Sequence, residues 1–493
     1  MPRPQFIQAI AIHLARRRMF QIFISTVVAA LALFSWRGFS STGDESDQTI
    51  QPNIIIILAD DLGYADLGVQ GARDIKTPNI DRMAAEGMRF TRFLSADARC
   101  SASRAALLTG RYPKRVGILG ALPAGSSDGI DSDEVLVPEL LKPVGYATAI
   151  IGKWHLGDRP EFLPTQHGFE YFFGLPYSHS ITPFDGFRKR DVPPLPLYKN
   201  EKVVAENPDP NQLTVSCTEQ AVRFIENHHT RPFFLYLSHA MPHVPLGVSA
   251  RFKGKSRRGL YGDVVMEIDW SVGQVLEALK RNGLDEKTMV VFTSDNGPWL
   301  IYGNHAGSAK PLREGKGTIW EGGHRVPFIA RWPGKIQAGQ VCNELVTMMD
   351  ILPTVASLSG SQVLLDRKID GHDIRPLLFG ENGARTPYGG FFYYEKGELR
   401  AVQSGNWKLV FPHKYRVVDV VGNNGESGKY VKKKTKIALF DLQTDVRERI
   451  NLAKQFPEVV ERLKNLAESV RDDMGDALMD PVESGIRQSG EAL

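Results

Sequence analysis

Cysteine is nearly absent: the chain carries three in 493 residues, Cys100, Cys217 and Cys342. So small a number excludes a disulfide scaffold, and the odd count leaves at least one thiol unpaired. A single Cys217–Cys342 bridge stays open. No sign of charge prevails either, since 60 lysines and arginines face 56 aspartates and glutamates, for a net charge of +4. A nucleic-acid binder concentrates basic residues on one face, and this balance gives no case for one. Internal repeats and low-complexity stretches are lacking. Long apolar runs are lacking too, with one exception.

That exception is "ARRRMFQIFISTVVAALALFSW", three arginines followed by an apolar run from Met19 to Trp36. A charged segment before an apolar one is the pattern of an export signal. The polar stretch "STGDESDQTIQ" then reads as a linker, so residues 1–45 are predicted to be export signal and linker. The alternative is an uncleaved membrane anchor, because no clean A-x-A site follows the run. "RRMF" also resembles the core of a twin-arginine signal. Either way the working part lies outside the cytoplasm, periplasmic or secreted, and meets a membrane only through this segment.

What fills the rest of the chain is an alternation of short apolar runs with amphipathic segments. "NIIIILAD" (53–60), "YATAIIGKWH" (146–155), "PFFLYLSHA" (232–240) and "TMVVFTSDNG" (288–297) are nearly continuous apolar runs. Parallel strands buried on both faces read this way. "TPNIDRMAAEGMRF" and "YGDVVMEIDWSVGQVLEALKRNG" read as helices between them. The predicted fold is α/β, a large doubly wound mixed sheet flanked by helices over residues 46–385. Beyond that, "YGGFFYYEKGELRAVQSGNWKLVFPH" and "KKTKIALFDLQTD" predict short antiparallel hairpins, and "FPEVVERLKNLAESVRDDM" a closing helix. Residues 386–493 therefore form a small α+β subdomain, with Lys432–Lys434 on a hairpin arm, either solvated or against an anionic polymer.

In an open α/β sheet, ligands bind outside the carboxyl ends of the strands, and here those ends are polar. The first run ends in Asp60-Asp61 and the fourth in Asp295-Asn296. Each pair alone is a good turn former. Together, three carboxylates and an amide make an all-oxygen set, suited to Ca²⁺ or, less well, Mg²⁺. The second run ends in "GKWHLG", where Lys153 and His155, two apart, share a face of an extended segment. The third ends in "SHAMPHVP", with His239 and His243. "LREGKGTIWEGG" places Lys316 between two glycines, which permits close approach to a ligand. A hard cation, two lysines, an arginine and histidines can hold a tetrahedral oxyanion.

"ARCSASRAALLTG" (98–110) completes the set. It reads as a short helix beginning at Cys100 and stopped by Gly110. A thiol at a helix N-terminus has its pKa lowered, and Arg104 returns to the same face one turn on. The alternative is a small buried cysteine capping a core helix.

These residues, in this order, resemble the sulfatase family. Its signature, C-x-P-x-R before a small-residue helix and Thr-Gly, reads here Cys100-Ser101-Ala102-Ser103-Arg104 and then "AALLTG". "NIIIILADDLGYADLG", "GKWHLG", "FTSDNG", "GKGTIWEGGHRVPFIARWPG" and "LFDLQTDVRERINLA" fit in the expected order, over nearly all of the chain after the export segment. "GLPYSHSITP" and "GKGTIWEGG" point to the group resembling arylsulfatase A and galactosamine-6-sulfate sulfatase. The fold so implied is alkaline-phosphatase-like.

The resemblance implies hydrolysis of sulfate monoesters, on an aryl sulfate or a sulfated carbohydrate, by formylglycine made from Cys100 by a maturation enzyme. It implies Ca²⁺ held by Asp60, Asp61, Asp295, Asn296 and an oxygen at position 100. The hydrated aldehyde, activated by the metal and Arg104, attacks sulfur in line. Lys153, Lys316 and His243 neutralise the sulfate oxygens, and Ser178 matches a position near the sulfate. His243 or Lys316 protonates the leaving alcohol, and His155 then takes a proton so that sulfate is expelled. The sequence departs from the commonest pattern at Ala102, where proline is usual, which leaves open the maturation enzyme that accepts the chain. A phosphonate or phosphate monoester hydrolase of the same superfamily is the alternative enzyme, and a non-catalytic binder of sulfated glycans the alternative class. The loop "SHSITPFDGFRKRDVPPLPLYKN", with Arg188, Lys189 and Arg190, either touches further anionic groups of a substrate or is solvated.

Overall fold

A computed structural model describes residues 51–182, 192–363, 366–478 and 490–491. The predicted export segment and the loop residues Arg188, Lys189 and Arg190 lie outside the described residues. Ten strands form the main sheet: β1 Asn53–Ala59, β2 Met88–Leu94, β3 Ala147–Lys153, β4 Tyr171–Leu175, β5 Pro196–Lys199, β6 Lys202–Glu206, β7 Phe233–Ser238, β8 Thr288–Ser294, β9 Phe328–Arg331 and β10 Gln340–Thr347. Their order is β10-β2-β9-β8-β1-β7-β3-β4-β5-β6.

The centre is parallel. β1 pairs with β7 and β8, with Ile54 opposite Phe234 and Met289, and β3 pairs with β7 and β4. β9 runs antiparallel to both β8 and β2, so the sheet is mixed, as expected. The strand runs are continuously apolar because successive residues enter two different cores. Ile54, Ile56 and Leu58 pack with Phe93 and Phe328, while Ile55, Ile57 and Ala59 pack on the other face.

Helices cover both faces. α1 Pro78–Ala85 is followed by α2 Cys100–Thr109, α3 Pro210–Asn227, α4 Leu260–Arg281, α5 Ile351–Ser359 and α6 Pro457–Met474. Leu107 and Leu108 of α2 and Leu352 and Val355 of α5 fill one core, and residues of α1, α3 and α4 fill the other. Cys217 on α3 and Cys342 on β10 pack with opposite faces of the sheet, and all three cysteines are free.

A second sheet is built of β11 Phe391–Glu395, β12 Glu398–Ser404, β13 Trp407–Val410 and, after a separate hairpin of β14 His413–Val420 with β15 Lys429–Thr435, β16 Ala438–Asp441. It is antiparallel in the order β11-β12-β13-β16. α6 packs on it through Val460, Leu463, Ala467 and Val470, and the same core takes in Leu94, Ile319 and Trp320 from the larger part. Lys432, Lys433 and Lys434 lie on the hairpin arm.

Candidate active site

The carboxyl ends of β1, β3, β7 and β8 converge, and α2 points its first residue at them. α2 begins at Cys100 after an extended Arg99 and ends at Gly110, whose φ of 69° is the left-handed conformation that closes a helix. All ten of its residues are buried. Its run of serines and alanines lets a whole helix sit inside the protein. Ser103 donates to the Asp97 carbonyl at 2.6 Å, and Ser101 accepts from the Leu122 amide at 3.0 Å.

Arg104, fully buried, does not simply lie beside Cys100. Its Nε and Nη2 donate to Asp295 Oδ2 at 3.1 and 2.8 Å, and its Nη1 donates to the Lys153 carbonyl and Ser238 Oγ at 3.0 and 2.6 Å. Nη2 also stands 3.6 Å from Asp60 Oδ1. One guanidinium thus ties β1, β3, β7 and β8 together. Lys153 Nζ donates to Asp60 Oδ2 at 2.6 Å. Lys316 Nζ reaches both Asp61 Oδ1, at 2.6 Å, and the Cys100 sulfur, at 3.1 Å. Asn296 donates its amide to Asp61 Oδ1 at 2.7 Å, and the Asp61 amide donates to Asp295 Oδ1 at 3.1 Å.

After these bonds are drawn, three buried oxygens have no donor: Asp60 Oδ1, Asp61 Oδ2 and Asn296 Oδ1. Buried acceptors are ordinarily satisfied. Three unsatisfied ones at the end of two adjacent strands fit a hard cation that takes oxygen ligands. Ligand atoms of Asp60, Asp61, Cys100 and His243 lie within 4.8 Å of one another. Asp61 itself sits at φ 68°, a conformation that costs free energy for a non-glycine residue and collects at functional sites.

Burial and charge set the protonation states. Burial pushes Asp60 up, but Lys153, His243 and Arg104 together hold it well below the usual carboxylate range. Asp61 is raised by burial against the pull of Lys316, and Asp295 is pushed up to about 7 by burial and the Asp60 charge. His155 and His243 are driven well below the ordinary histidine range, first by burial and then by neighbouring lysines. The thiol expectation is corrected: burial pushes Cys100 up to about 12, outweighing Lys153 and Lys316. The polar setting does not make this thiol a thiolate.

Other expected residues fall differently. The strand ends at Lys153 and His155 has φ 67°, so the extended period that predicts a face shared with Lys153 does not reach His155. Its Nε2 meets the Leu122 carbonyl at 3.0 Å, and its buried Nδ1 has no partner. His243 stays in the site, with Nε2 3.7 Å from Asp61 Oδ2. His239 does not, since its Nε2 faces Ser271 Oγ of α4 at 3.1 Å. Ser178 is buried and its hydroxyl lies 3.0 Å from Ser180 Oγ. Three side chains were not picked out from sequence. Trp299 packs its ring 5.4 Å from His243 and 4.8 Å from Lys316 Nζ, its indole N–H donates to Tyr430 at 3.1 Å, and Arg416 donates to the Lys316 carbonyl at 3.5 Å. Trp299 follows "SDNGP" closely enough to have been suspected; Tyr430 and Arg416, more than 100 residues from β8, carry no local signal.

A sheet of this order with this set of groups at its carboxyl edge defines an alkaline-phosphatase-like ester hydrolase. The chain belongs to the sulfatase family: the family model described as Sulfatase matches residues 52–361, and the C-terminal region of aryl-sulfatase matches residues 387–489. It is a sulfuric ester hydrolase of the group of arylsulfatase A and N-acetylgalactosamine-6-sulfatase. It is 44% identical over 377 residues to N-acetylgalactosamine-6-sulfatase of Mus musculus, covering 72% of this chain and 71% of that one. It is 40% identical over 446 residues to arylsulfatase A of Homo sapiens, covering 84% and 87%. Among solved structures it resembles the PsFucS1 sulfatase from Pseudoalteromonas sp., with a TM-score of 0.79 and 29% identity over 88% of this chain and 93% of that one.

Proposed function

We propose that this enzyme, exported and matured at Cys100 to formylglycine by a maturation enzyme, removes sulfate from a sulfated carbohydrate or aryl sulfate with a calcium ion. The observation that carries the reading is the trio of donorless oxygens on Asp60, Asp61 and Asn296 beside a lysine that spans Asp61 and the Cys100 sulfur. Asp60, Asp61, Asp295 and Asn296 would hold the ion, which supplies fixed positive charge against the sulfate. A formylglycine at position 100 would, once its aldehyde has added water, offer two hydroxyls on one carbon, one to take the sulfate and the other to expel it as the aldehyde re-forms.

The chain's own residues do the rest. Lys153 and Lys316 offer donors to the sulfate oxygens. His243, whose Nδ1–H is taken up by the Val244 carbonyl, faces the site through Nε2 and donates there only when protonated, and Ser178 matches a family position near the sulfate. Arg104 fixes Asp295 and stands against Asp60, which keeps the carboxylates in place without competing for substrate. Lys316 holds its proton in the resting site, because Asp61 and its neighbours raise its pKa against burial. His243 is kept neutral, so Lys316 is the group that carries a proton for the leaving oxygen. His155, neutral with a free buried Nδ1, is the base that accepts the proton released at position 100. We assign this chemistry to the domain of residues 46–385, against which the described part of the C-terminal subdomain packs through Leu94, Ile319 and Trp320. No helix among the described residues is long and apolar enough to cross a membrane.

The test is release of sulfate and phosphate from a matched aryl sulfate and aryl phosphate. Faster sulfate release, abolished in a folded Cys100→Ala variant, is expected. Faster phosphate release would move the reading to a phosphate or phosphonate monoester hydrolase, and retained activity in the variant would end the role of position 100.

A further inference from the structure

The hairpin of β14 and β15 sets Lys414 opposite Lys434 and Arg416 opposite Lys432. Alternation along each strand places the four on one face. Like charges directly opposite one another destabilise a hairpin, and none of the four has a carboxylate partner within ion-pair distance among the described residues. Arg416 also keeps a buried Nε without an acceptor. A cavity of about 310 Å³ opens against this face, and its lining includes Arg99, Arg400, Lys414, Arg416, Lys432 and Glu395. Glu395 cannot balance the set, because Arg99 at 2.8 Å and Arg400 at 2.6 Å already hold it.

This cavity adjoins the reacting position. Arg99 immediately precedes Cys100. Arg416 Nη2 lies 3.5 Å from the Lys316 carbonyl, and a side chain built on Gly317 (φ 73°) would come within 2.1 Å of it. The Arg416 guanidinium sits 4.9 Å from the ring of Tyr430, whose hydroxyl accepts from Trp299 beside His243. The cavity thus shares Arg99 with the segment leading into Cys100, and its Arg416 reaches the backbone of Lys316.

We propose that the cavity is an anion subsite for a second sulfate or carboxylate of the same glycan, so that the substrate is a polyanionic oligosaccharide and not a singly sulfated sugar. The inference rests on the sulfatase reading of the neighbouring site. An unbalanced cationic face beside the site of hydrolysis gains from a second anion in two ways. The anion relieves the repulsion within the hairpin, and low dielectric near the protein strengthens each contact over its value in bulk water.

Binding separates this from turnover. Heparin, chondroitin sulfate and carrageenan hexasaccharides are titrated calorimetrically into the full-length Cys100→Ala protein, alone and with K414Q/K432Q added. A control adds K253Q/K255Q, two exposed lysines on another surface. At least one hexasaccharide is expected to bind, and K414Q/K432Q to weaken it by about tenfold or more, equal to about 1.4 kcal/mol. The control should leave its Kd unchanged. No binding by any of the three, an unchanged Kd in K414Q/K432Q, or an equal loss in the control would overturn the proposal. Lysine-dependent binding of a hexasaccharide from which the wild-type enzyme releases no sulfate would uphold the anion subsite and count against the sulfatase reading alone.

Discussion

Arg104 and Lys316 divide the positive charge of the site between scaffold and chemistry. Arg104 spends four of its N–H donors on Asp295, the Lys153 carbonyl and Ser238, and none on the position of the substrate. Arg104→Gln would leave buried carboxylates unpaired, a change that typically costs about 3–5 kcal/mol. A large fall in thermal stability together with lost activity is expected, and a variant as stable as the wild type would show that the guanidinium is not holding the strands. Lys316 instead bridges Asp61 and the Cys100 sulfur, so Lys316→Ala should abolish sulfate release and also cost stability, because Asp61 loses its buried ion-pair partner; sulfate release retained in the folded variant would contradict its role. The donorless oxygens of Asp60, Asp61 and Asn296 carry their own consequence. Chelation should lower the melting temperature and added Ca²⁺ should restore it, the ion adding about 2.7 kcal/mol of stability at a hundredfold excess over Kd. In Asp60→Asn that shift should vanish; an equal shift in both proteins would place the ion elsewhere.

At the scale of the element, α2, the Lys316 loop and the second sheet are held by charges the sequence does not advertise. Lys408 on β13 donates to the Ile319 carbonyl at 2.8 Å and pairs with Glu321 at 3.0 Å and Glu448 at 2.9 Å. One ammonium cannot hold two carboxylates equally. Burial raises both, but Lys408 and Arg325 bring Glu321 down to about 2, while Glu448 is left at about 7. A carboxylate lowered from its ordinary 4.5 to about 2 lends stability above pH 4.5 that is lost as pH falls toward 2. Lys408→Met inverts that sign. Both buried acids then take protons more readily folded than unfolded, so the variant's deficit in melting temperature should be large at pH 7 and shrink as pH is lowered to 5. A deficit independent of pH would mean the loss is one of packing. Strand runs such as "NIIIILAD" were legible because both faces of β1 are buried, and α2 was legible from Gly110 and its small residues. The Lys408 cluster was not, because each of its members is an ordinary polar residue until the chain brings positions 321, 408 and 448 together.

Across the whole molecule, much of the candidate site that could be read from sequence is fixed by strand ends. Asp60, Asp61, Lys153, Asp295 and Asn296 converge because parallel strands deliver their carboxyl ends to one edge. His239 misled for the same reason: it too follows a strand, but its ring turns to α4. The Cys100 thiol misled because helix position was weighed without burial, and burial dominates. The contribution of the β14–β15 hairpin through Arg416 and Tyr430 was invisible, since it depends on how the second sheet docks. These points meet at position 100, where a buried thiol held in its protonated form is a poor nucleophile, which supports the proposal that Cys100 is a precursor. The measurement that tests this most directly is the mass of the peptide containing residue 100, from active protein made in its native host. Loss of sulfur with gain of a carbonyl oxygen is the predicted result, and an intact thiol in protein that releases sulfate would contradict the account.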